Sequence, residues 1–170
     1  METDANLVTP RPKARAYSRP IRSGSYCPVF VPPNDIITEP ERIGDYAEGM
    51  AKIVIMIGDE PPLKPLIDIP RMAEITRDMI SKSLQSFTAR DVELAMRVVS
   101  LDNIVDNLYD QVFRELLTFM MVDPKTTNRA TRLIWIAHNL ERAADRATNI
   151  CERVVYTVTG KMEEIGGSKY

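Results

Sequence analysis

Cysteine, histidine and tryptophan are scarce in this 170-residue chain: Cys27 and Cys151, His138 and Trp135 are all there are. Two thiols cannot make a disulfide scaffold, and a reducing cytoplasm is the expected setting. A single histidine leaves no repeated Glu-x-x-His ligands of the kind that hold di-iron centres inside helical bundles. Long apolar runs are missing too. None approaches the ~18 residues that span a bilayer, so no direct membrane insertion is expected. The polar, charged first residues do not read as a secretory signal. Net charge is only −2, which supplies no basic field to recruit nucleic acid. Strand signals are nearly absent, with no long alternating run and no Asn-Gly or Asp-Gly hairpin. No nucleophile–base pair, phosphate-cradling glycine loop or nucleotide fingerprint is present. The expectation is an all-α, non-enzymatic protein.

Proline is present, but unevenly. Seven of the twelve prolines fall in residues 1–40, among Arg11, Lys13, Arg15, Arg19 and Arg22. Residues 1–37 therefore read as a disordered, Pro/Arg-rich arm. Beyond it the breakers become punctuation. A first helix is expected over 38–58, stopped by Gly58, then a Pro-rich linker over 59–69. Residues 70–160 form an antiparallel three-helix bundle, with helices at about 70–88, 91–122 and 124–159 and a flexible tail over 161–170. Asp68 is the expected N-cap of the first of these, with Pro70 tolerated in its first turn. Its apolar residues Met72, Ile75, Met79, Ile80, Leu84 and Phe87 keep helical spacing. Asp123-Pro124 opens the last helix and Gly160 ends it.

The two long helices carry heptad seams. Leu133, Ala137, Leu140, Ala144, Ala147, Cys151, Val154 and Val158 step by four and three; Leu101, Val105, Leu108 and Val112 do the same. Trp135, just off the seam, is read as packing, and Cys151 as a small core residue.

Acids flank these seams. Glu141 and Asp145 lie on one flank of the last helix, and Asp102 and Asp106 on the matching flank of the helix before it. A turn at 122–123 makes facing residues sum to about 245, so the four carboxylates meet at one height, with Asp110 nearby. Like charges four apart on a helix cost ~0.2–0.5 kcal/mol per pair, and ~1 kcal/mol more accrues between carboxylates ~4 Å apart in water. Arg142 and Arg146 point about a quarter-turn away and reach back only partly. A hard divalent or trivalent cation converts that repulsion into binding energy, because such ions choose several oxygen ligands. His138, on the flank of Glu141, is either an auxiliary ligand or pH sensor or simply a partly exposed helix residue. The same Glu-x-x-x-Asp step recurs one hundred residues earlier: Glu41, Arg42, Asp45 and Ala47 match Glu141, Arg142, Asp145 and Ala147.

At "ERIGDYAEGMAKIV" and "NLERAADRATNICERVVYTVTGK" the sequence resembles the PhoU family of phosphate-uptake regulators, in which two similar three-helix bundles each carry a Glu/Asp-x-x-x-Asp motif on the third helix. "LDNIVDNLYDQV" (101–112) is similar to the acidic second helix and "MAEITRDMISKSLQSFTARD" (72–91) to the first. The resemblance implies a metal site at Glu141, Asp145, Asp102 and Asp106, and a second at Glu41 and Asp45, holding iron, manganese, magnesium or zinc. It implies a cytoplasmic dimer that restrains phosphate uptake and phosphate-responsive signalling through the phosphate ABC transporter ATPase subunit and the phosphate-sensing histidine kinase. Set against that pattern, the chain has the proline-rich arm where two further helices are expected. Helix 38–58 is thus an orphan of an incomplete first repeat, expected to pack on the intact bundle or on another copy of the chain. The alternatives are a metal-free helical interaction module or a non-functional truncated fragment.

Overall fold

The computed structural model describes residues 33–160; the tail expected over 161–170 and residues 1–32 of the arm expected over 1–37 lie outside them. Four α-helices and one 3-10 turn make up the order: α1 Pro33–Ile57, α2 Asp68–Ala89, α3 Val92–Val122, the turn Pro124–Thr126, and α4 Thr127–Thr159. No strand occurs among the described residues, and none of their helices is long and apolar enough to cross a membrane.

Helix α4 is the axis of the assembly. It packs against α1, α2 and α3, whereas α1 packs on α4 alone. Helix α1 therefore packs on the bundle of its own chain. Its direction is antiparallel to α4: Gly49 stands level with Asn139, and Glu60, just past the helix, with Arg132. Helix α3 is also antiparallel to α4, joined by the tight turn at Asp123. The Asp123 carboxylate accepts the Lys125 N–H while the Thr126 hydroxyl donates to the Phe119 and Asp123 carbonyls.

Several local expectations are corrected. Helix α1 starts at Pro33 rather than 38 and carries Pro40 inside it. Proline at a first helical position forfeits no intrahelical bond. The turn that precedes Pro40 is held on the bundle by buried Ile36 and by Glu39, which pairs with Arg146 and Arg153. Asp68 does not cap α2. The capping residue is Ile67, with no side-chain bond, and Asp68 is already helical. It pairs instead with Lys64, whose buried ammonium also meets Glu115 of α3 and so pins the Pro-rich connector to the bundle.

On α2 the buried stripe runs Ile69, Met72, Thr76, Met79, Ser83 and Ser86, leaving Leu84 and Phe87 exposed. Serine permits a closer helix approach than leucine, and both hydroxyls are satisfied locally, by the Ile80 and Ser83 carbonyls. On α4 the seam is buried from Leu133 to Val154, but Val158 is exposed. Trp135 is 60% exposed and does not pack in the core. Cys151 is fully buried, and burial pushes its thiol up to about 12, so it is a core residue without thiolate character.

The ends of the elements follow local chemistry. Gly58 and Gly160 stop α1 and α4 in left-handed geometry, at φ 57° and 72°. The Asp91 carboxylate accepts the Leu94 N–H at 2.9 Å and caps α3. Replacing it (Asp91→Ala) is expected to cost ~1 kcal/mol of stability, measured by urea unfolding; a loss no greater than that of Glu93→Ala, an uncapping control in the first turn, would count against the cap.

Candidate metal centre

The acids reach their places through the seams. Val105 and Leu108 of α3 pack with Leu140 and Ala144 of α4 in one core cluster. The residues one step beyond each seam position, Asp102, Asp106, Glu141 and Asp145, are thereby turned to a common flank. Their coupling is direct. Asp106 and Asp145 both raise the pKa of Asp102, and Asp145, Asp106 and Asp102 all raise that of Glu141. The antiparallel register agrees, since the rings of Tyr109 and His138 stand 5.9 Å apart one turn further along.

Burial is the larger part of each shift. It and Asp106 push Asp102 up to about 6; it and Asp145 push Glu141 up to about 7. Asp145 is raised by burial and then by Asp106, with Arg146 and Arg142 opposing. Two of the oxygens, Asp102 Oδ1 and Glu141 Oε2, are buried without a hydrogen-bond partner. A desolvated, unpaired carboxylate oxygen is costly unless something positive meets it.

Beside these acids lies an open cleft of about 500 Å³ lined by Tyr109, Asp110 and Phe113 of α3 and by His138, Glu141, Arg142 and Asp145 of α4. His138 Nδ1 is 3.5 Å from Glu141 Oε2. Burial and the neighbouring Arg142 push the imidazole pKa below its usual value, so His138 is neutral at pH 7 and does not compensate Glu141.

The oxygen-only, mutually repelling donor set suits a hard cation by its chemistry. The side chains stand open: among the described residues no three His, Cys, Asp or Glu groups are already gathered round one point. Glu41 and Asp45 are not brought to this flank. Both are exposed on α1, and neither contributes to the shifts of Asp102, Glu141 or Asp145.

The acid of α1 that does engage α4 is Glu39, which the repeat pattern passes over. It is 4% exposed and pairs with Arg146 at 3.5 Å and Arg153 at 3.0 Å. Arg142, in turn, lies over the Tyr46 ring at 5.4 Å. A signal existed in the sequence: Glu39 lies one turn ahead of Arg42, and Arg146 and Arg153 sit seven apart on one face of α4.

The fold and the acids define an all-helical bundle protein with a partly buried carboxylate flank beside its helix seams. Within that class this chain belongs to the PhoU family: residues 69–154 match the model of the PhoU domain. It is 46% identical over 121 residues to the phosphate-specific transport system accessory protein PhoU homolog 2 of Thermotoga maritima, covering 71% of this chain and 52% of that protein. It is 41% identical over 127 residues to the Aquifex aeolicus PhoU homolog, covering 75% and 58%. Among solved structures it is similar to PhoU from Pseudomonas aeruginosa (TM-score 0.72, 34% identity, 75% of this chain and 61% of that one). PhoU from Streptococcus pneumoniae gives 0.70 and 27%, over 76% and 61%. The chain spans about half the length of the curated relatives it matches.

Proposed function

We propose that the chain serves a phosphate transport system as a non-enzymatic accessory protein, binding a hard divalent or trivalent cation on the α3–α4 flank. The names of its relatives, accessory proteins of phosphate-specific transport, support the first half. The observation that carries the second is the pair of buried, unpartnered oxygens on Asp102 and Glu141 within a group of four coupled acids. Asp102 and Asp106 from α3 and Glu141 and Asp145 from α4 would hold the ion, whose charge removes the repulsion between the two helices. Iron, manganese, magnesium and zinc are the candidates, in that the donors are all oxygen and His138 offers one nitrogen at the rim. Glu41 and Asp45 are proposed as a second, weaker site, completed by acids from elsewhere.

The partners proposed are the ATPase subunit of the phosphate ABC transporter and the phosphate-sensing histidine kinase, met in the cytoplasm, with the chain as a homodimer. Negative regulation of uptake would follow from holding either partner in an inactive state. Their capture by the immobilised chain tests this part; retention of neither would reject it.

Manganese titration followed by thermal melting tests the ion. The melting temperature of wild type is expected to climb with manganese concentration, by mass action on the folded state. Glu141→Ala/Asp145→Ala is expected to melt higher than wild type without metal and to gain nothing from manganese. An equal gain in both proteins would reject the site.

A further inference from the structure

Helix α4 places a cation directly after each of its two site acids: Arg142 follows Glu141, and Arg146 follows Asp145. A guanidinium on so long a stem is able to fold back onto a neighbouring carboxylate, and its bidentate geometry suits one. Neutralised in that way, the acids would have no need of an external cation. In the structure the arginines are engaged elsewhere, and always by α1. Arg142 is laid over the Tyr46 ring, 5.4 Å from its centre. Glu39 spends one carboxylate oxygen on Arg146 and the other on Arg153, at 3.5 and 3.0 Å. Glu39 is itself buried, so these pairs are shielded from solvent, unlike the exposed Glu48–Lys52 pair on the same helix.

We infer that Glu39 and Tyr46 are positioning residues for the acid flank, drawing the α4 arginines to the α1 side so that Glu141 and Asp145 stay open to a cation. This rests on the cation-binding reading for its purpose, but not for its geometry. It gives α1, which touches only α4, a role in the site without supplying a ligand.

Two measurements test it. In the metal-free protein, a double-mutant cycle between Arg146→Met and Asp145→Asn, read by urea unfolding, gives the coupling of that pair. In a Glu39→Gln background the coupling is expected to grow about twofold, as Arg146 is released toward Asp145. A parallel cycle between Arg142→Met and Glu141→Gln in a Tyr46→Leu background provides the same reading should Glu39→Gln fail to fold. Unchanged coupling in the background that folds overturns the inference.

In the second measurement, Glu39→Gln is expected to weaken manganese binding ~10-fold, a change of ~1.4 kcal/mol. Adding Arg146→Met is expected to restore it. A loss that the second substitution does not restore would mark Glu39 as a merely structural residue and overturn the assignment. If wild type binds no manganese, the cation-binding reading fails, and the metal-free cycles still decide whether α1 holds the arginines aside.

Discussion

Between pH 4 and pH 8 the metal-free protein is expected to lose on the order of 3 kcal/mol of stability through Glu141, Asp102 and Asp145. The sign follows from the direction of their shifts. Each carboxyl is harder to ionise folded than unfolded: Glu141 moves from 4.5 to about 7, Asp102 from 3.8 to about 6, and Asp145 also upward. Well below the unfolded values of 3.8 and 4.5 both states hold the protons and nothing is lost. As pH rises past the unfolded values, the unfolded chain ionises freely while the fold resists. The penalty grows until the folded groups ionise too, and is complete only about one pH unit above the folded Glu141 value of about 7. The magnitude is set well under the sum of the separate shifts, because the groups are only partly buried and share a single repulsion.

Unfolding of wild type and Glu141→Gln by urea across that range isolates the effect of Glu141 and of its coupling to the neighbouring acids, since titrations elsewhere in the chain cancel in the difference. Glu141→Gln should gain on wild type steadily from pH 5 to pH 8. Saturating manganese should flatten the wild-type curve in the upper half of the range. A wild-type protein whose advantage over Glu141→Gln rises with pH would show the carboxylate to be well paired, contrary to the buried, unpartnered Oε2.

The acid flank was legible in the sequence because it depends on few quantities: the heptad phase, the turn position and the 3.6-residue period. A seam that is apolar at Leu140 and Ala144 fixes where Glu141 and Asp145 point, and the tight turn at Asp123 fixes the height at which α3 meets them. Phase information was poorer where side-chain size is ambiguous. Ser83 and Ser86 look polar, yet they are fully buried and Leu84 and Phe87 are exposed, because small hydroxyl residues bond their own helix and let α2 come close. Trp135 has the apolar bulk of a core residue, but it lies off the α4 seam and is exposed.

The contribution of α1 was the least legible. Proline density around Pro32, Pro33 and Pro40 argues for a broken chain, and the helix nevertheless begins at Pro33. Its packing is decided by pairs more than a hundred residues apart, Glu39 with Arg146 and Arg153, which periodicity within one helix does not report. The repeat directed attention to Glu41 and Asp45, which are exposed, when the buried acid was two residues earlier.

Replacing Ala144 by leucine is expected to destabilise the protein by about 3 kcal/mol and, unlike an ordinary core defect, to erase the pH dependence as well. Ala144 has no exposed surface and lies on the seam between Glu141 and Asp145. Alanine also stands at the fully buried positions 137 and 147 of α4, so the close approach of α3 is built on the smallest side chains available. Three further carbon atoms at 144 have no space to occupy, and relief comes from moving α3 outward. That displacement carries Asp102 and Asp106 away from Glu141 and Asp145 and readmits water between them. The two causes that raise the carboxyl pKa values, burial and mutual repulsion, then decline together. Urea unfolding of Ala144→Leu at pH 5 and pH 8 separates the outcomes, with Ala130→Leu, buried near the start of α4 and away from the acids, as the control. Both variants should be destabilised, but only Ala144→Leu should lose the difference between the two pH values and its response to manganese. If Ala144→Leu kept the full wild-type pH dependence, the acids would be held by their own helices rather than by the closeness of the α3–α4 seam. The tie between packing density and charge at this flank would then be broken.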